Sequence, residues 1–388
     1  MNMSTVCLKV AIATTGRFHV LDLARTLAAL GHEVAFYSYV PRQRAMQFGL
    51  PAECHRSLLP FLAPLVVLQR YGGTRLRRAI DLWLLAATDH LIAQRLEPCD
   101  VFISMSGLAV ESAQVARERY GAKVFIERGS RHILSQKVIL DDLGRRGMPV
   151  ATVPDYAVER ELAGYALADR VVVPSLHAEQ SFLERGFPAT KLFRNPYGVD
   201  LSMFPPTPAP ATEQPTLLFV GGWSYRKGVD LLEAAWRRLE GVRLLHVGGL
   251  ADAPLPKASG FVHMEPIPQW QLREYYAQAH LFILASREEG LALVQAQALA
   301  SGLPLICTDR TGGEDLQRLL DDPSWVKVVP SDDVEALVAA IREMLPKALC
   351  LRGERDFLGK AREDLSWGAY GQRYALELER TVLSGKTC

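Results

Sequence analysis

The sequence predicts an α/β protein built from two doubly wound parallel-sheet domains that face each other across a cleft. The chain has 388 residues, too many for one ordinary hydrophobic core, which favours two domains. Strand-like apolar runs alternate with helical patterns, as is typical of parallel sheets. The alternation is interrupted by the proline-rich run FPPTPAPATEQP at residues 204–215.

The first half of the chain begins with a strand–helix–strand unit. LKVAIAT at residues 8–14 has strand composition, HVLDLARTLAALG is a helical pattern that ends at Gly31, and HEVAFYSYV is again strand-like. Such a unit within about 30 residues implies a parallel sheet. Further strand-like runs occupy residues 100–107, 122–130 and 169–175. We therefore assign residues 1–204 to an N-terminal Rossmann-like domain.

The second half repeats the same alternation after the proline-rich run. Residues 205–215 are expected to form an interdomain linker without helix or sheet. The alternation then restarts at TLLFVGG and continues through LPLICT, which assigns residues 216–365 to a C-terminal Rossmann-like domain. Ligands of open α/β sheets bind at the carboxyl ends of the strands, so the cleft between the domains is the expected site.

Composition excludes several classes of protein. The net charge of +1 gives no basic field for nucleic acid. The six cysteines form no Cys-x-x-Cys pair, which disfavours zinc and a disulfide framework and fits a reducing cytoplasm. The N-terminus reads as a first strand rather than a signal peptide. No segment reaches the roughly 20 apolar residues that a spanning helix needs.

One apolar segment is a candidate for contact with a membrane surface. SLLPFLAPLVVLQRY at residues 57–71 is interrupted by Pro60 and Pro64. The arginines that follow are Arg70, Arg75, Arg77 and Arg78. Apolar surface beside clustered cations suits the inner face of an anionic membrane. The alternative is a loop and helix packed on the domain core.

The loop FVGGWSYRKG, after the first strand of the second domain, is a candidate phosphate site. Gly221 and Gly222 allow the backbone to turn sharply and to approach a ligand. Arg226 and Lys227 place two cations at the start of the next helix, where amides also favour anions. A diphosphate would fit this arrangement; the alternative is a solvated basic turn.

A second candidate loop is SREEGLALVQAQALASGLPLICT at residues 286–308. Glu289 lies at the mouth of a predicted helix over residues 291–300, and Gln297 lies about two turns further on. Eight helical positions span roughly 12 Å, on the order of the distance from a hexose across a diphosphate to a ribose. Glu288 is interpreted as a solvated neighbour and Gln295 as a packing residue. The alternative for Gln297 is a buried amide satisfied by backbone.

These motifs together resemble the retaining glycosyltransferases of family 4, which have the GT-B fold. The resemblance covers nearly the whole chain and rests on the order and spacing of its segments. The segments are ARTLAALGHEV, LADRVVVPS, NPYGVDLSMF, FVGGWSYRKGVDLL, LREYYAQAHLFILASREEGLALVQAQALASGLPLICTDRTGG and SWGAYGQRY. It implies a nucleotide-sugar donor on the second domain, an acceptor on the first, no metal or other cofactor, and a C-terminal helix at about 366–388 that crosses back to complete the first domain.

The resemblance assigns roles to individual residues of the second domain. Glu289 matches the first acid of the family's Glu-x7-Glu motif, Lys227 matches its phosphate lysine, and Arg226 resembles a variant source of the guanidinium. Gln297 departs from the pattern because the family has a second glutamate there, so donor affinity or nucleotide choice is in question. The full implied donor-binding set is Gly221, Gly222, Pro268, Gly290, Leu291, Leu293 and Gln297.

In the first domain the resemblance leaves one assignment open. The family often has a histidine after the strand that ends here in FIERGSRH, and both Arg128 and His132 are candidates for that place. His132 is expected as a catalytic contact and Arg128 on the acceptor side. Gly16 matches the loop that approaches donor and acceptor, and Arg17 and His19 are expected either to reach the cleft or to lie on the surface.

The implied reaction is transfer of a hexosyl group from GDP-mannose or a UDP-hexose to a glycan or lipid-linked hydroxyl. Without a protein nucleophile, retention suits a front-face substitution in which the leaving phosphate takes the acceptor proton. The alternatives are a GT-B epimerase and a protein that binds nucleotide sugars without transferring them. A dehydrogenase is disfavoured, because no Gly-x-Gly-x-x-Gly follows a strand.

Overall fold

The computed structural model describes residues 6–71, 74–210 and 214–384, without the side chains of residues 74–78. Within these ranges, parallel strands form a seven-stranded first sheet in the order β3-β2-β1-β4-β5-β6-β7. The strands are β1 (Lys9–Ala13), β2 (Glu33–Ser38), β3 (His55–Ser57), β4 (Val101–Met105), β5 (Lys123–Glu127), β6 (Arg170–Val173) and β7 (Leu192–Arg194).

Helices cover both faces of the first sheet, so its strands are buried on both sides and read as continuous apolar runs. These helices are α1 (Phe18–Ala29), α2 (Arg42–Gln47), α3 (Leu59–Tyr71), α4 (Thr74–Arg95), α5 (Glu111–Tyr120), α6 (Ile133–Arg145), α7 (Asp155–Leu167) and α8 (Leu176–Leu183). The strand order reverses between β1 and β4, and this switch point opens a crevice at the carboxyl ends of the strands.

The second domain has the same construction with one strand fewer in its described sheet. Its parallel order is β11-β10-β9-β12-β13-β14, and a separate antiparallel pair joins β8 to β15. The strands are β8 (Thr207–Pro208), β9 (Thr216–Val220), β10 (Arg243–Val247), β11 (Phe261–Met264), β12 (Leu281–Leu284), β13 (Leu305–Thr308), β14 (Val326–Val329) and β15 (Glu354–Arg355). The switch point lies between β9 and β12, which are followed by the two candidate loops.

The helices of the second half are α9 (Val229–Trp236), α10 (Leu272–Gln278), α11 (Leu293–Ala300), α12 (Gly313–Gln317), α13 (Val334–Leu349) and α14 (Trp367–Ser384). The predicted fold class, two doubly wound parallel-sheet domains, is therefore confirmed. Helix α14 returns to the first domain, where Arg373 donates to Asn195 and Arg170 pairs with Glu377. A side chain at Gly371 would overlap Thr26 of α1, so glycine permits this close helix packing. The last residues of the predicted helix, 385–388, lie outside the described part.

The expectation that the proline-rich linker would form no sheet is wrong. Thr207 and Pro208 form the short strand β8 against β15. The backbone N–H of Thr207 donates to Ser301, and the buried Arg355 guanidinium donates to the Thr207 hydroxyl at 2.8 Å. Proline has no backbone N–H to donate. Pro208 is tolerated because it lies on an edge strand, where no neighbouring strand needs that hydrogen bond.

The two prolines of the apolar segment do not interrupt its helix. Pro60 is the second residue of α3, where no intrahelical donor is needed, and Pro64 lies inside α3. The side chains of Arg75, Arg77 and Arg78, which belong to the predicted membrane surface, lie outside the described residues. Among the described helices, none combines the length and apolar character required to cross a membrane.

Three buried histidines make the fold sensitive to acid, which gives a first prediction. Burial lowers the pKa of His132, His177 and His246 to about 4. In the unfolded chain these rings bind protons below a pH of about 6.5, whereas the folded chain does not until about pH 4. We therefore expect the free energy of unfolding to fall as the pH drops from 6.5 to 4, on the order of 1 kcal/mol per pH unit for each histidine.

Urea denaturation at pH 7 and pH 5 measures this loss. His132 accepts a hydrogen bond from the backbone N–H of Leu134 at the start of α6, and asparagine can do the same without titrating. His132→Asn should therefore lose less stability between the two pH values than the wild type. Equal losses of stability in the two proteins would show that His132 does not contribute to the sensitivity to acid.

Candidate active site

The carboxyl ends of the two sheets enclose a cavity of about 680 Å³. The first domain lines it with the loop after β1 and the segment after β7, and the second domain with the loops after β9 and β12 and the start of α11. The lining side chains of clearest chemical interest are Arg17, Phe18, His19, Asp22, Tyr197, Asp200, Lys227, Gln269, Glu289, Gln297 and Trp367. A cavity at both switch points is where open α/β sheets bind ligands.

A hydrogen-bonded pair of histidines, His246 and His263, holds the glycine loop after β9 in place. Gly221 has a φ of +143°, and its carbonyl oxygen accepts a hydrogen bond from Nε2 of the buried His246 at 2.9 Å. The Nδ1 atoms of His246 and His263 lie 3.0 Å apart, so one ring donates to the other. Because His246 uses its Nε2–H for Gly221, its Nδ1 is the acceptor and His263 is the donor. Gly221 and Gly222 both line the cavity.

Arg226 and Lys227 lie on a short 3-10 turn, Tyr225–Lys227, that precedes α9. The Ser224 hydroxyl accepts from the Lys227 N–H at the start of this turn. Gly228 ends it with a φ of +66°, and any side chain at Gly228 would overlap the carbonyl group of Ala285. The turn is therefore held against the end of β12, so both cations face the carboxylates that follow β12.

Glu289 is the cavity-lining carboxylate that follows β12. It forms a close ion pair with Lys227, and the Arg226 Nη1 atom lies 3.7 Å from its Oε1. The Ser286 hydroxyl donates to Glu289 at 3.4 Å. The structure thus brings together the three residues to which the sequence assigned phosphate and sugar contacts, with two cations matched by carboxylates.

The interpretation of Glu288 as a solvated neighbour is wrong, because this side chain is fully buried between the domains. It accepts hydrogen bonds from Ser130 and Gln136 of the first domain, and Arg226 donates to it at 3.1 Å. Burial alone would raise its pKa, but the Arg226 charge and the two hydrogen bonds outweigh burial and lower the pKa below its usual value. Glu288 is therefore an ionised contact between the two domains.

The backbone beside Glu288 is also bound by the first domain. Nε2 of His177 donates to the carbonyl oxygen of Glu289 at 2.8 Å, and the Ser175 hydroxyl donates to that of Gly290 at 2.8 Å. A side chain at Gly290 would overlap the carbonyl group of Gly129. Gly290, expected to bind donor, thus lies at the interdomain contact beside the cavity-lining Glu289 and Leu291.

The two glutamines of α11 have different surroundings. Gln295 is buried and donates to the Thr311 carbonyl at 2.8 Å, while its own oxygen accepts from the Thr311 hydroxyl. Gln297 lines the cavity and accepts from the Tyr276 hydroxyl at 3.3 Å. Helix α11 begins at Leu293, two residues later than the sequence predicted, so the path from Glu289 to Gln297 is partly non-helical. Leu291 and Leu293 line the same cavity.

The loop after β1 reaches across the cleft. Arg17 donates to the Gln269 side chain of the second domain at 3.0 Å, and its guanidinium lies 3.8 Å from the Phe48 ring centroid. The ring of Phe18 packs over Gly16. Pro268, a predicted donor contact, directly precedes the short turn Gln269–Gln271 and is not among the cavity-lining residues.

His19 also lines the cavity, and its position is set by buried partners. Its Nε2 lies 2.8 Å from a carboxylate oxygen of Glu127, and its ring packs 4.3 Å from that of Tyr197. Of the two alternatives for Arg17 and His19, the structure therefore favours the cleft over the surface.

The catalytic contact expected of His132 requires correction. His132 lies in a buried aromatic cluster with Tyr165 and Phe182, where it also caps α6. Neither His132 nor Arg128 is among the cavity-lining residues of the described chain. Arg128 is buried as well, and it donates to Glu161 at 2.8 Å and to Gln136 at 2.7 Å. Its place is therefore behind Glu288, as a support of Gln136, rather than on the acceptor side.

The sequence interpretation missed most first-domain partners of the site, namely Ser130, Gln136, Ser175, His177 and Tyr197. Ser130 closely follows the carboxyl end of β5, as does Ser175 that of β6. Their position at this edge of the sheet was the available signal. Within the described residues, no group of three or more His, Cys, Asp or Glu side chains could hold a metal ion. Metal independence stays a prediction.

Comparisons with known proteins place these motifs in a family. The profile described as "Glycosyl transferases group 1" matches residues 214–347, and that described as "Glycosyl transferase 4-like domain" matches residues 15–198. Together they span both domains of the chain.

Two curated relatives illustrate the similarity. The GDP-mannose-dependent alpha-mannosyltransferase of Mycobacterium tuberculosis is 31% identical over 180 residues, which cover 44% of this chain and 46% of that protein. The D-inositol 3-phosphate glycosyltransferase of Xylanimonas cellulosilytica is 30% identical over 160 residues, covering 34% of this chain and 38% of that protein. The chain thus spans less than half the length of these relatives in the matched regions.

Solved structures share the arrangement of both domains. Sucrose-phosphate synthase from Thermosynechococcus elongatus superposes with a TM-score of 0.65 at 20% identity, covering 97% of this chain and 99% of that one. A lipopolysaccharide outer core galactosyltransferase, in its apo form, superposes with a TM-score of 0.61 at 14% identity and covers the same shares. At these identities the likeness shows the fold alone.

The contact at Gly290 gives a second prediction. Gly290→Ala should force Gly290 and Gly129 apart, since the added carbon has no space beside the Gly129 carbonyl group. We expect a lower melting temperature, by roughly 2–8 °C for a loss of 1–2 kcal/mol, and a larger radius of gyration in small-angle X-ray scattering.

Gly144→Ala is the matched control, because the same carbon at Gly144 of α6 meets nothing within 4 Å. It should leave the radius of gyration at the wild-type value and the melting temperature unchanged or slightly higher, because alanine favours a helix more than glycine does. A Gly290→Ala protein as stable and compact as the control would show that the close approach is not required.

Proposed function

This chain belongs to the group 1 glycosyltransferases of family 4 and has the GT-B fold; on that premise, we propose that it transfers a hexosyl group from a nucleoside-diphosphate sugar to an acceptor hydroxyl, with retention. The observation that carries the proposal is the cluster of Arg226, Lys227 and Glu289 beside the interdomain cavity. Two cations and a carboxylate at this place suit a diphosphate joined to a sugar.

Arg226 and Lys227 are the proposed phosphate ligands. Their charges are matched by the carboxylates of Glu288 and Glu289. A diphosphate would compete with Glu289 for Lys227, which frees the carboxylate to accept hydrogen bonds from the hydroxyls of the donor sugar. The Gly221 carbonyl accepts from His246 and the Gly221 N–H donates to Val247, which fixes the loop, and the amide of Gly222 is the proposed backbone donor to the same phosphates.

The proposed chemistry is a front-face substitution. The bond from the anomeric carbon to the diphosphate oxygen breaks, and the acceptor oxygen forms its bond to that carbon on the same face. The acceptor proton passes to the leaving phosphate oxygen. Arg226 and Lys227 would stabilise the negative charge that develops there, and charge stabilisation of this kind is commonly the largest contribution to catalysis. The two domains would orient donor and acceptor.

Donor and acceptor are proposed by class. GDP-mannose and UDP-hexoses are the donor candidates, and the relative named for GDP-mannose supports the first. The acceptor is proposed to be a glycan or a lipid-linked hydroxyl, and relatives named for teichuronic acid and amylovoran biosynthesis support the glycan. A cytoplasmic site of action is supported by the free thiols of Cys7, Cys54, Cys99, Cys307 and Cys350.

Glu289 gives a third prediction. Glu289→Ala removes the proposed sugar contact and the partner of Lys227, so the rate of transfer should fall by roughly 10²–10³-fold or more. The measurement is release of nucleoside diphosphate together with mass spectrometry of the product. Glu335→Ala is the control, because Glu335 is also a carboxylate in an ion pair, here an exposed one with Arg238, a residue distant in the sequence. Near-normal turnover in a folded Glu289→Ala protein would reject the assignment.

Gln297 gives a fourth prediction, which also tests the function itself. A thermal-shift panel of nucleotides and nucleotide sugars should show the largest rise in melting temperature for the true donor. Gln297→Glu should keep transferase activity, and a carboxylate facing ribose hydroxyls should increase the shift in melting temperature.

Donor binding without transfer to any acceptor would favour a binding protein, and release of an epimerised sugar would favour an epimerase. A Gln297→Glu protein that binds donor but is inactive would argue against the ribose contact.

A further inference from the structure

Helix α3 presents a continuous apolar stripe to solvent. Its exposed apolar residues are Pro60, Phe61, Pro64, Val67, Leu68 and Tyr71. Their spacing of three and four residues places them on one face of the helix. The stripe is strongly exposed, with 56% of Val67 and 76% of Tyr71 accessible to solvent. The opposite side of α3 includes Leu62, which is buried in the domain core.

This stripe differs from an ordinary solvated helix face of the same domain. The exposed residues of helix α5 are Glu111, Gln114, Arg117, Glu118 and Arg119, all of them polar. A contiguous exposed apolar surface on a domain that elsewhere exposes a polar helix face indicates a contact with something apolar. The alternative that this segment is packed on the domain core therefore accounts for one side of α3 and leaves the other side unexplained.

Helix α4 lies beside α3 and carries a further exposed aromatic residue. Gln69 of α3 donates to Asp81 of α4 at 2.6 Å, which joins the two helices side by side. Trp83 of α4 is 62% exposed. Tyr71 and Trp83 have the amphipathic rings that favour the boundary between hydrocarbon and water.

The charges around the stripe are positive. The Arg95 guanidinium lies 3.9 Å from the Phe61 ring centroid, and Arg70 lies 5.7 Å from that of Tyr71. The sequence places Arg75, Arg77 and Arg78 in the first turns of α4, and their side chains lie outside the described residues. The one carboxylate that the structure shows joined to α3, Asp81, accepts from Gln69. Apolar and aromatic side chains flanked by arginines match a bilayer with anionic headgroups.

We propose that the α3–α4 hairpin, residues 59–71 and 79–95 of the described chain, docks on the surface of an anionic lipid bilayer. A second copy of the chain is a poorer occupant. A two-fold symmetric contact brings the same patch against itself, so arginines would meet arginines across it.

The position of the hairpin connects this surface to the cavity. Helix α3 begins two residues after Ser57, the last residue of β3. Because parallel strands end at the same edge of their sheet, α3 starts on the side on which the cavity lies. Resting on the proposed function, this arrangement lets an acceptor carried by a membrane lipid reach the cleft from the bilayer.

Vesicle sedimentation without any nucleotide sugar tests the proposal independently of transferase activity. The probes are vesicles of phosphatidylcholine alone and of phosphatidylcholine with one quarter phosphatidylglycerol. The wild type should sediment with the anionic vesicles and bind the neutral ones at least tenfold more weakly. Val67→Asn/Leu68→Asn should reduce binding to anionic vesicles at least tenfold, while its melting temperature and its monomer mass stay unchanged.

The matched control is Leu250→Asn/Leu376→Asn, because both leucines are 56% exposed but lie outside the hairpin. This control should bind anionic vesicles like the wild type. Equal loss of binding in the two double variants, or no binding by the wild type, would overturn the proposal. A wild-type dimer that becomes monomeric in Val67→Asn/Leu68→Asn would overturn it in favour of a contact between copies. Active transferase that ignores vesicles would reject the docking surface and leave the proposed function standing.

Discussion

The arrangement of the cleft between the two domains depends on one buried carboxylate, that of Glu288. A carboxylate out of water is strongly unfavourable unless it is paired and hydrogen-bonded. Glu288 is satisfied by Ser130 and Gln136 from one domain and Arg226 from the other. The charge is therefore stable only when the two domains are together. This requirement fixes Glu289 and Gly290, the next residues along the chain, at the junction between the domains.

The partners of Glu288 are themselves held by a relay of buried hydrogen bonds. Tyr165 donates to Glu161, Arg128 donates to Glu161 and to Gln136, and Gln136 donates to Glu288. Glu161 orients Arg128, and Arg128 orients the Gln136 amide by donating to its oxygen. Such networks contribute more than isolated pairs because they restrict every member to one orientation. Arg128 thereby influences the cleft from behind, through Gln136, without lining the cavity.

A second buried network sets the position of the cations. The guanidinium of Arg287 donates to Asp230, to Asp332 and to the carbonyl oxygen of Tyr225. The backbone N–H of Arg287 also donates to the carbonyl of Arg226. Residue 287 thus ties the turn that carries Arg226 and Lys227 to the strand end that carries Glu288 and Glu289. The proposed phosphate ligands are therefore already oriented. A nucleotide-sugar donor would replace carboxylates with its phosphates and would not have to assemble the site.

Sequence pattern alone predicted the alternation of strands and helices, the two parallel sheets and the loops that carry Arg226, Lys227 and Glu289, because periodicity and the position after a strand are local properties. It could not decide what surrounds a side chain. Glu288 and Glu289 are adjacent and chemically identical, yet one is buried between the domains and the other lines the cavity. His132 and Arg128 both follow the end of a strand, a position that predicts a place in the cleft, but both are buried away from the cavity. Those outcomes were decided by tertiary structure, because Ser130, Gln136 and His177 reach residues 288–290 from more than 100 positions away along the chain.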